Sequence, residues 1–154
     1  MALRWLSAVA ALAAATPADA QQVNELGIQA IGTLSDPALA LGGIYAGWRP
    51  TKRARISAGL GLGGSEGEVA WRGELLGHFL LAPTRREGAG VYLAGGIAAV
   101  GGPTDQGYLV LVAGLEARPG AASGWFLEAG VGGGPRVSAG WRWRWFPRWW
   151  SLVR

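Results

Sequence analysis

Cysteine is absent from all 154 residues, which removes disulfide bracing and thiolate chemistry. Histidine occurs once, at His78, and one imidazole without a thiol cannot assemble the usual zinc ligand set, so neither metal nor cofactor is expected. Charge is sparse as well. Against 14 Lys and Arg stand 10 Asp and Glu, the net charge is +4, and no block of five like charges occurs, so no nucleic-acid stripe is present. Beyond the first twenty residues there is also no run of about 18 apolar residues, which argues against membrane helices. The nearest approach, residues 88–102, is glycine-rich and bounded by Glu87 and Pro103.

Met1 to Ala20 has the layout of a secretory signal: Arg4 near the start, an apolar run from Trp5 to Ala15, and Ala18-Asp19-Ala20 before Gln21 as the small-x-small cleavage pattern. Its apolar core is shorter than the ~20 residues that span a bilayer as a helix. The expected organisation is a signal peptide over 1–20, one folded unit over 21–146, and an aromatic and basic tail over 147–154.

What the chain does have is 27 Gly, 9 Trp and a marked alternation near its end, Gly-Trp-Arg-Trp-Arg-Trp over 140–145. At period two, Trp141, Trp143 and Trp145 share one face while Arg142 and Arg144 share the other, whereas a helix would mix them. The same parity extends back through Val137 and Ala139. A strand with one broad apolar face and one charged face follows.

Proline punctuates the rest. Seven follow the signal, at 37, 50, 83, 103, 119, 135 and 147, and a residue with no amide hydrogen belongs at turns and strand ends. With the turn-like cluster over 63–68 they predict eight strands, near 24–34, 38–49, 54–64, 68–82, 89–100, 107–118, 124–134 and 136–146. In the third, Ile56, Leu60 and Leu62 oppose Arg55, Ser57, Gly59 and Gly61. In the fourth, Val69, Trp71, Leu75, Phe79 and Leu81 oppose Arg72, Glu74 and His78. The fifth sets Val91, Leu93 and Ile97 against Tyr92, the sixth Leu109, Leu111 and Leu115 against Tyr108 and Glu116, and the seventh Trp125, Leu127 and Val131 against Phe126 and Glu128. The second is apolar on both faces, and its orientation stays open.

An even number of alternating segments of about ten residues behind an export signal predicts an all-β fold, an eight-stranded antiparallel up-and-down transmembrane β-barrel. On the signal, the alternation, the turns Pro50-Thr51-Lys52-Arg53 and Pro83-Thr84-Arg85-Arg86-Glu87, and the final apolar series Val137, Ala139, Trp141, Trp143, Trp145, the chain resembles the small eight-stranded outer-membrane β-barrel proteins of Gram-negative bacteria. That resemblance implies residence in outer-membrane lipid and recognition of the last strand by the barrel-assembly machinery. It departs from the family at the end, since members commonly stop at the terminal aromatic and this chain continues from Phe146 to Arg154. With the N-terminus periplasmic, turns near 50–53, 83–88 and 119–123 face the periplasm, and loops near 35–37, 64–67, 101–106 and 133–135 face outward.

The lipid-facing and interfacial aromatics are then Trp71, Trp125, Trp141, Trp143 and Trp145, with Trp48, Trp125, Trp145, Trp149 and Trp150 near strand ends expected at the two interfaces. Facing inward are Arg55, Arg72, Glu74, His78, Glu116, Glu128, Arg142 and Arg144, a charge network expected to be structural because eight strands leave an interior just wide enough for side chains. An ion path through it is the sharper alternative. Inward glycines either leave room for water or let the strands coil tightly. No catalytic residue is assigned: Ser57 could approach His78 with Glu74 as orienter, a geometry that the sequence does not fix. Gly59 to Gly64 fits G-x-G-x-x-G but alternates like a strand, with no helix after it. The expected function is a non-enzymatic outer-membrane barrel, structural or with a very narrow pore. The alternatives are a soluble exported barrel holding an apolar ligand and a lipid-modifying barrel enzyme. The oligomeric state is open.

Overall fold

Period-two alternation sustained over nine to thirteen residues gives eight strands: β1 (Val23–Thr33), β2 (Leu39–Arg49), β3 (Ala54–Ser65), β4 (Glu68–Leu80), β5 (Ala89–Gly101), β6 (Gln106–Ala117), β7 (Ser123–Val131) and β8 (Pro135–Trp145). The computed structural model describes residues 22–103 and 105–148. The expected signal over 1–20, and residues 149–154 of the expected tail with Trp149 and Trp150, lie outside the described residues. Each strand pairs antiparallel with its sequence neighbours, and β8 pairs with β1 to close the barrel.

The register fixes the barrel's girth. From Asn24, cross-strand partners run once around the wall through Trp48, Ile56, Gly77, Gly95, Leu111, Val131 and Pro135. The carbonyl of Pro135 then accepts the amide of Leu34. One circuit therefore moves from residue 24 to residue 34, a shear of ten residues. With ~3.4 Å per residue and ~4.8 Å between strands, this shear on eight strands gives a tilt of about 42° and a backbone radius of about 8 Å. Such an interior holds side chains and little else.

The start of β1 and the end of β8 share one end of the barrel, the terminal end, with the turns over 50–53, 81–88 and 118–122. The connections over 34–38, 66–67, 102–105 and 132–134 occupy the other. Glu66 and Gly67 both have positive φ, 51° and 83°, which matches a two-residue hairpin turn to the twist of β3 and β4. β7 stops at Val131, earlier than the sequence suggested, because Gly133 and Gly134 take φ of 81° and 125° and reverse the chain there. β8 stops at Trp145, before the amide-less Pro147.

Pairing also settles the second strand. Tyr45 lies opposite Gly27 of β1 and Gly59 of β3, so Leu41, Tyr45 and Arg49 point inward while Ile44 and Trp48 point out. Around the wall, Ile28, Ile44, Leu60, Leu75, Leu93, Leu111 and Leu127 are exposed on the outer face. The inner face carries the charges, flanked by an apolar cluster of Leu76, Leu80, Tyr92, Ala94, Ala98, Val110 and Val112 and a smaller one of Ile31, Leu41 and Ala70. This is the reverse of a soluble ligand-holding barrel, whose apolar residues would point in.

The inward glycines take aromatic rings. A Cβ on Gly114 would sit 2.2 Å from Cζ of Tyr92, its cross-strand partner, and one on Gly140 would sit 2.6 Å from Cε1 of Phe126, its partner. Each ring thus lies flat over a neighbouring glycine, covering backbone that would otherwise face the lumen.

Candidate functional site: the charged lumen

Strand parity turns ten charged side chains into the barrel: Arg49, Arg55, Arg72, Arg136, Arg142 and Arg144, with Glu25, Glu74, Glu116 and Glu128, all buried. Six guanidinium groups against four carboxylates leave the lumen at +2 with His78 neutral. Unpaired, each such charge would cost several kcal/mol in a low-dielectric interior. Their geometry distributes every carboxylate among at least two cations.

Glu116 is the hub nearest the terminal end. Its Oε2 accepts from Arg142 Nη1 at 2.6 Å, Arg55 Nη1 at 2.9 Å and Arg144 Nη2 at 3.1 Å. Glu25 accepts from Arg49 Nε at 2.6 Å and Arg55 Nη1 at 3.3 Å. Towards the other end, Arg136 grips Glu74 with two bonds, Nε to Oε1 at 3.0 Å and Nη2 to Oε2 at 2.8 Å, and reaches Glu128 through Nη1 at 3.0 Å. Two parallel bonds of this kind fix direction as well as charge. Arg72 Nε adds a 2.6 Å bond to Glu74. Tyr92 and Ser138 hydroxyls complete Glu128 at 2.7 and 2.8 Å.

Arg142 joins the two groups. Its Nη2 donates to Tyr92 Oη at 2.8 Å and lies 3.7 Å from Glu128, while its Cζ stacks 4.1 Å from the centre of the Phe126 ring. Three further guanidinium groups tie the network to the connections at the barrel's ends. Arg72 donates to the carbonyl of Gly132 at 2.9 Å, Arg144 to that of Ala121 at 3.1 Å, and Arg49 to that of Pro83 at 3.4 Å. The central cavity that remains, bordered by Gln29, Tyr45, Ser57, His78 and Arg142, is about 20 Å³, room for roughly one water.

Arg55, Arg72, Glu74, His78, Glu116, Glu128, Arg142 and Arg144 all lie in this lumen, and all but His78 are ion-paired there. Reading the sequence missed Glu25, Arg49, Arg136, Tyr45 and Tyr92 as members of the network. Parity was the available signal: Arg136 and Ser138 share the face of Arg142 and Arg144, and Tyr92 alternates with Val91 and Leu93.

Ser57 does meet His78, Oγ to Nε2 at 2.8 Å, but the orienting partner is not Glu74. That carboxylate is engaged by Arg72 and Arg136. Nδ1 of His78 instead lies 3.0 Å from Nη2 of Arg55, which can only donate. The imidazole must therefore accept at Nδ1 and carry its hydrogen on Nε2, donating to Ser57. A base able to take a serine proton needs the opposite tautomer.

The tryptophans are placed unevenly. Trp48, Trp125, Trp141, Trp143 and Trp145 are outward and half-exposed on β2, β7 and β8, towards the terminal end, and Trp71 alone of the described tryptophans lies towards the other. The expectation of tryptophan at both interfaces from Trp48, Trp125 and Trp145 is corrected: the turns that follow Trp48 and precede Trp125 are both at the terminal end. Trp149 and Trp150 lie outside the described residues.

No family model and no curated protein matches the chain. Among solved structures, the N-terminal β-barrel domain of Pseudomonas aeruginosa OprF superposes with a TM-score of 0.61 at 16% identity, covering 81% of this chain and 100% of that one. Neisserial surface protein A (NspA) does so with a TM-score of 0.58 at 10% identity, covering 80% of this chain and 97% of that one. At such identities the likeness is one of fold: this chain is a closed, eight-stranded, all-antiparallel up-and-down barrel, the architecture of those outer-membrane barrels.

Proposed function

We propose that this protein is a bacterial outer-membrane barrel with a structural, non-enzymatic role, exported by its N-terminal signal and handed to the barrel-assembly machinery through β8. The observation that carries the reading is the inverted distribution of side chains: leucine, isoleucine, valine and tryptophan outside, arginine and glutamate inside. Only a solvent that is itself apolar makes that distribution favourable over the whole wall. Trp71, Trp125, Trp141, Trp143 and Trp145 then face lipid, those near strand ends at headgroup depth. The lumen network serves as an internal brace. Its closure by ion pairs and stacked rings, with a cavity of about 20 Å³ at its centre, supports a barrel that does not conduct in this state.

The test is heat-modifiable gel migration of the refolded chain, together with its fractionation after expression with the signal. A faster unboiled band recovered with outer membrane is expected, and planar bilayers bearing the protein should stay silent. Recovery as a monodisperse soluble periplasmic protein would overturn the membrane reading. Discrete conductance steps would overturn the sealed lumen and restore the narrow pore.

A further inference from the structure

Every charged side chain among the described residues lies either in the lumen or at one end of the barrel, and the two ends differ in sign. At the terminal end stand Lys52, Arg53, Arg85, Arg86, Arg118 and Arg148, opposed only by Glu87. The loop end has Asp36, Glu66, Glu68 and Asp105, all exposed, and no lysine or arginine outside the lumen. Lys52, Arg53, Arg86 and Arg118 make no side-chain hydrogen bond or ion pair among the described residues.

Position matters as much as sign. The cations sit on three successive connections, β2 to β3, β4 to β5 and β6 to β7, and after β8, so they ring the barrel and do not converge on one point. Immediately along the wall from them lie outward Trp48, Phe79, Trp125 and Trp145. A ring of apolar aromatics capped by a ring of cations, with Lys52, Arg53, Arg86 and Arg118 among them, matches the layout of a phospholipid along the barrel axis, acyl chain against indole and phosphate against guanidinium.

We propose that this terminal-end collar binds the headgroups of anionic phospholipids, enriching them in the surrounding leaflet and setting the depth of the barrel. The proposal rests on the membrane reading above. The acidic loop end has no counterpart for a phosphate, so enrichment is confined to the leaflet that meets the cations.

The tryptophans beside the collar supply the readout. The folded chain is reconstituted in phosphatidylcholine vesicles containing a minor fraction of phosphatidylglycerol, with bromine on the acyl chains of one lipid or the other. Tryptophan quenching per mole of brominated lipid is then compared. Phosphatidylglycerol is expected to quench about twofold or more better than phosphatidylcholine, and the advantage should vanish at molar salt. It should also vanish in the Lys52→Gln/Arg53→Gln/Arg86→Gln/Arg118→Gln variant, whose substitutions are confined to turns. Equal quenching in the parent would overturn the proposal, as would a preference unchanged in that variant. Absence of a heat-modifiable band in vesicles with or without phosphatidylglycerol would instead overturn the membrane reading.

Discussion

Replacing Arg136 by methionine tests whether the lumen is held by paired charge or merely hydrated. Arg136 supplies both bonds of a bidentate grip on Glu74 and one to Glu128, with its side chain fully buried. With the guanidinium gone, Glu74 keeps only Arg72, and Glu128 keeps two hydroxyls with Arg142 no closer than 3.7 Å. The group of Arg72, Arg136, Glu74 and Glu128 passes from neutral to a net charge of −1 inside the barrel. Breaking a buried pair by removing one partner costs about 3–5 kcal/mol, and methionine refills much of the volume, so most of that loss should be electrostatic. Adding Glu74→Gln to Arg136→Met removes the orphaned charge and should recover about 2 kcal/mol, a coupling visible in a double-mutant cycle. The assay is urea unfolding of the barrel in lipid vesicles, followed by tryptophan fluorescence and the heat-modifiable band. A single variant within about 0.5 kcal/mol of the parent would refute the reasoning, because the carboxylates would then have been solvated all along.

Other outcomes follow from the same geometry. Gly114→Ala forces the Tyr92 ring off its seat and away from Glu128, and should destabilise by about 1–3 kcal/mol in the same unfolding assay, whereas Gly42→Ala, whose Cβ would meet nothing within 4 Å, should be nearly neutral. On the outer wall, Ile44→Arg at mid-strand should cost about 2–4 kcal/mol in vesicles and Val69→Arg, one residue past the strand's start, about 0–1, a depth dependence that a water-facing wall would not produce. Nitrogen NMR of the folded barrel should report His78 protonated on Nε2, and the opposite tautomer would revive Ser57 as a nucleophile.

Period-two parity made most of the fold legible, because each buried face tolerates no register slip: moving β8 by one residue would put Arg142 and Arg144 on the apolar wall. The same parity fails where both faces are apolar. Leu41, Ile44 and Tyr45 of β2 give no contrast, and only pairing across Gly27 and Gly59 decides which of them is inside. The lumen's membership was partly readable for that reason, but its wiring was not. Glu25 and Arg144 are 119 positions apart and adjacent across the seam, and nothing local to either encodes the partner. Likewise Ser57 and His78 were recognisable as neighbours, while the role of Arg55 depends on which ring nitrogen it reaches. The tryptophan asymmetry was hidden because alternation reports a residue's face, and its height follows only from topology.

The seam between β1 and β8 bears on how the barrel is assembled. β8 brings three of the six lumen arginines, Arg136, Arg142 and Arg144, as well as Ser138, and the described cation partners of Glu128 are all among them. A seven-stranded precursor therefore holds three guanidinium groups against four carboxylates and carries a net charge of −1, with Glu128 having Tyr92 alone. Arrival of the last strand reverses that sign to +2 in the same step that eliminates both open edges. Backbone closure and the pairing of Glu128 with cations are thus one event, and a partly closed barrel has neither. The strand made last supplies both cations that hold Glu128 and one of the two that hold Glu74.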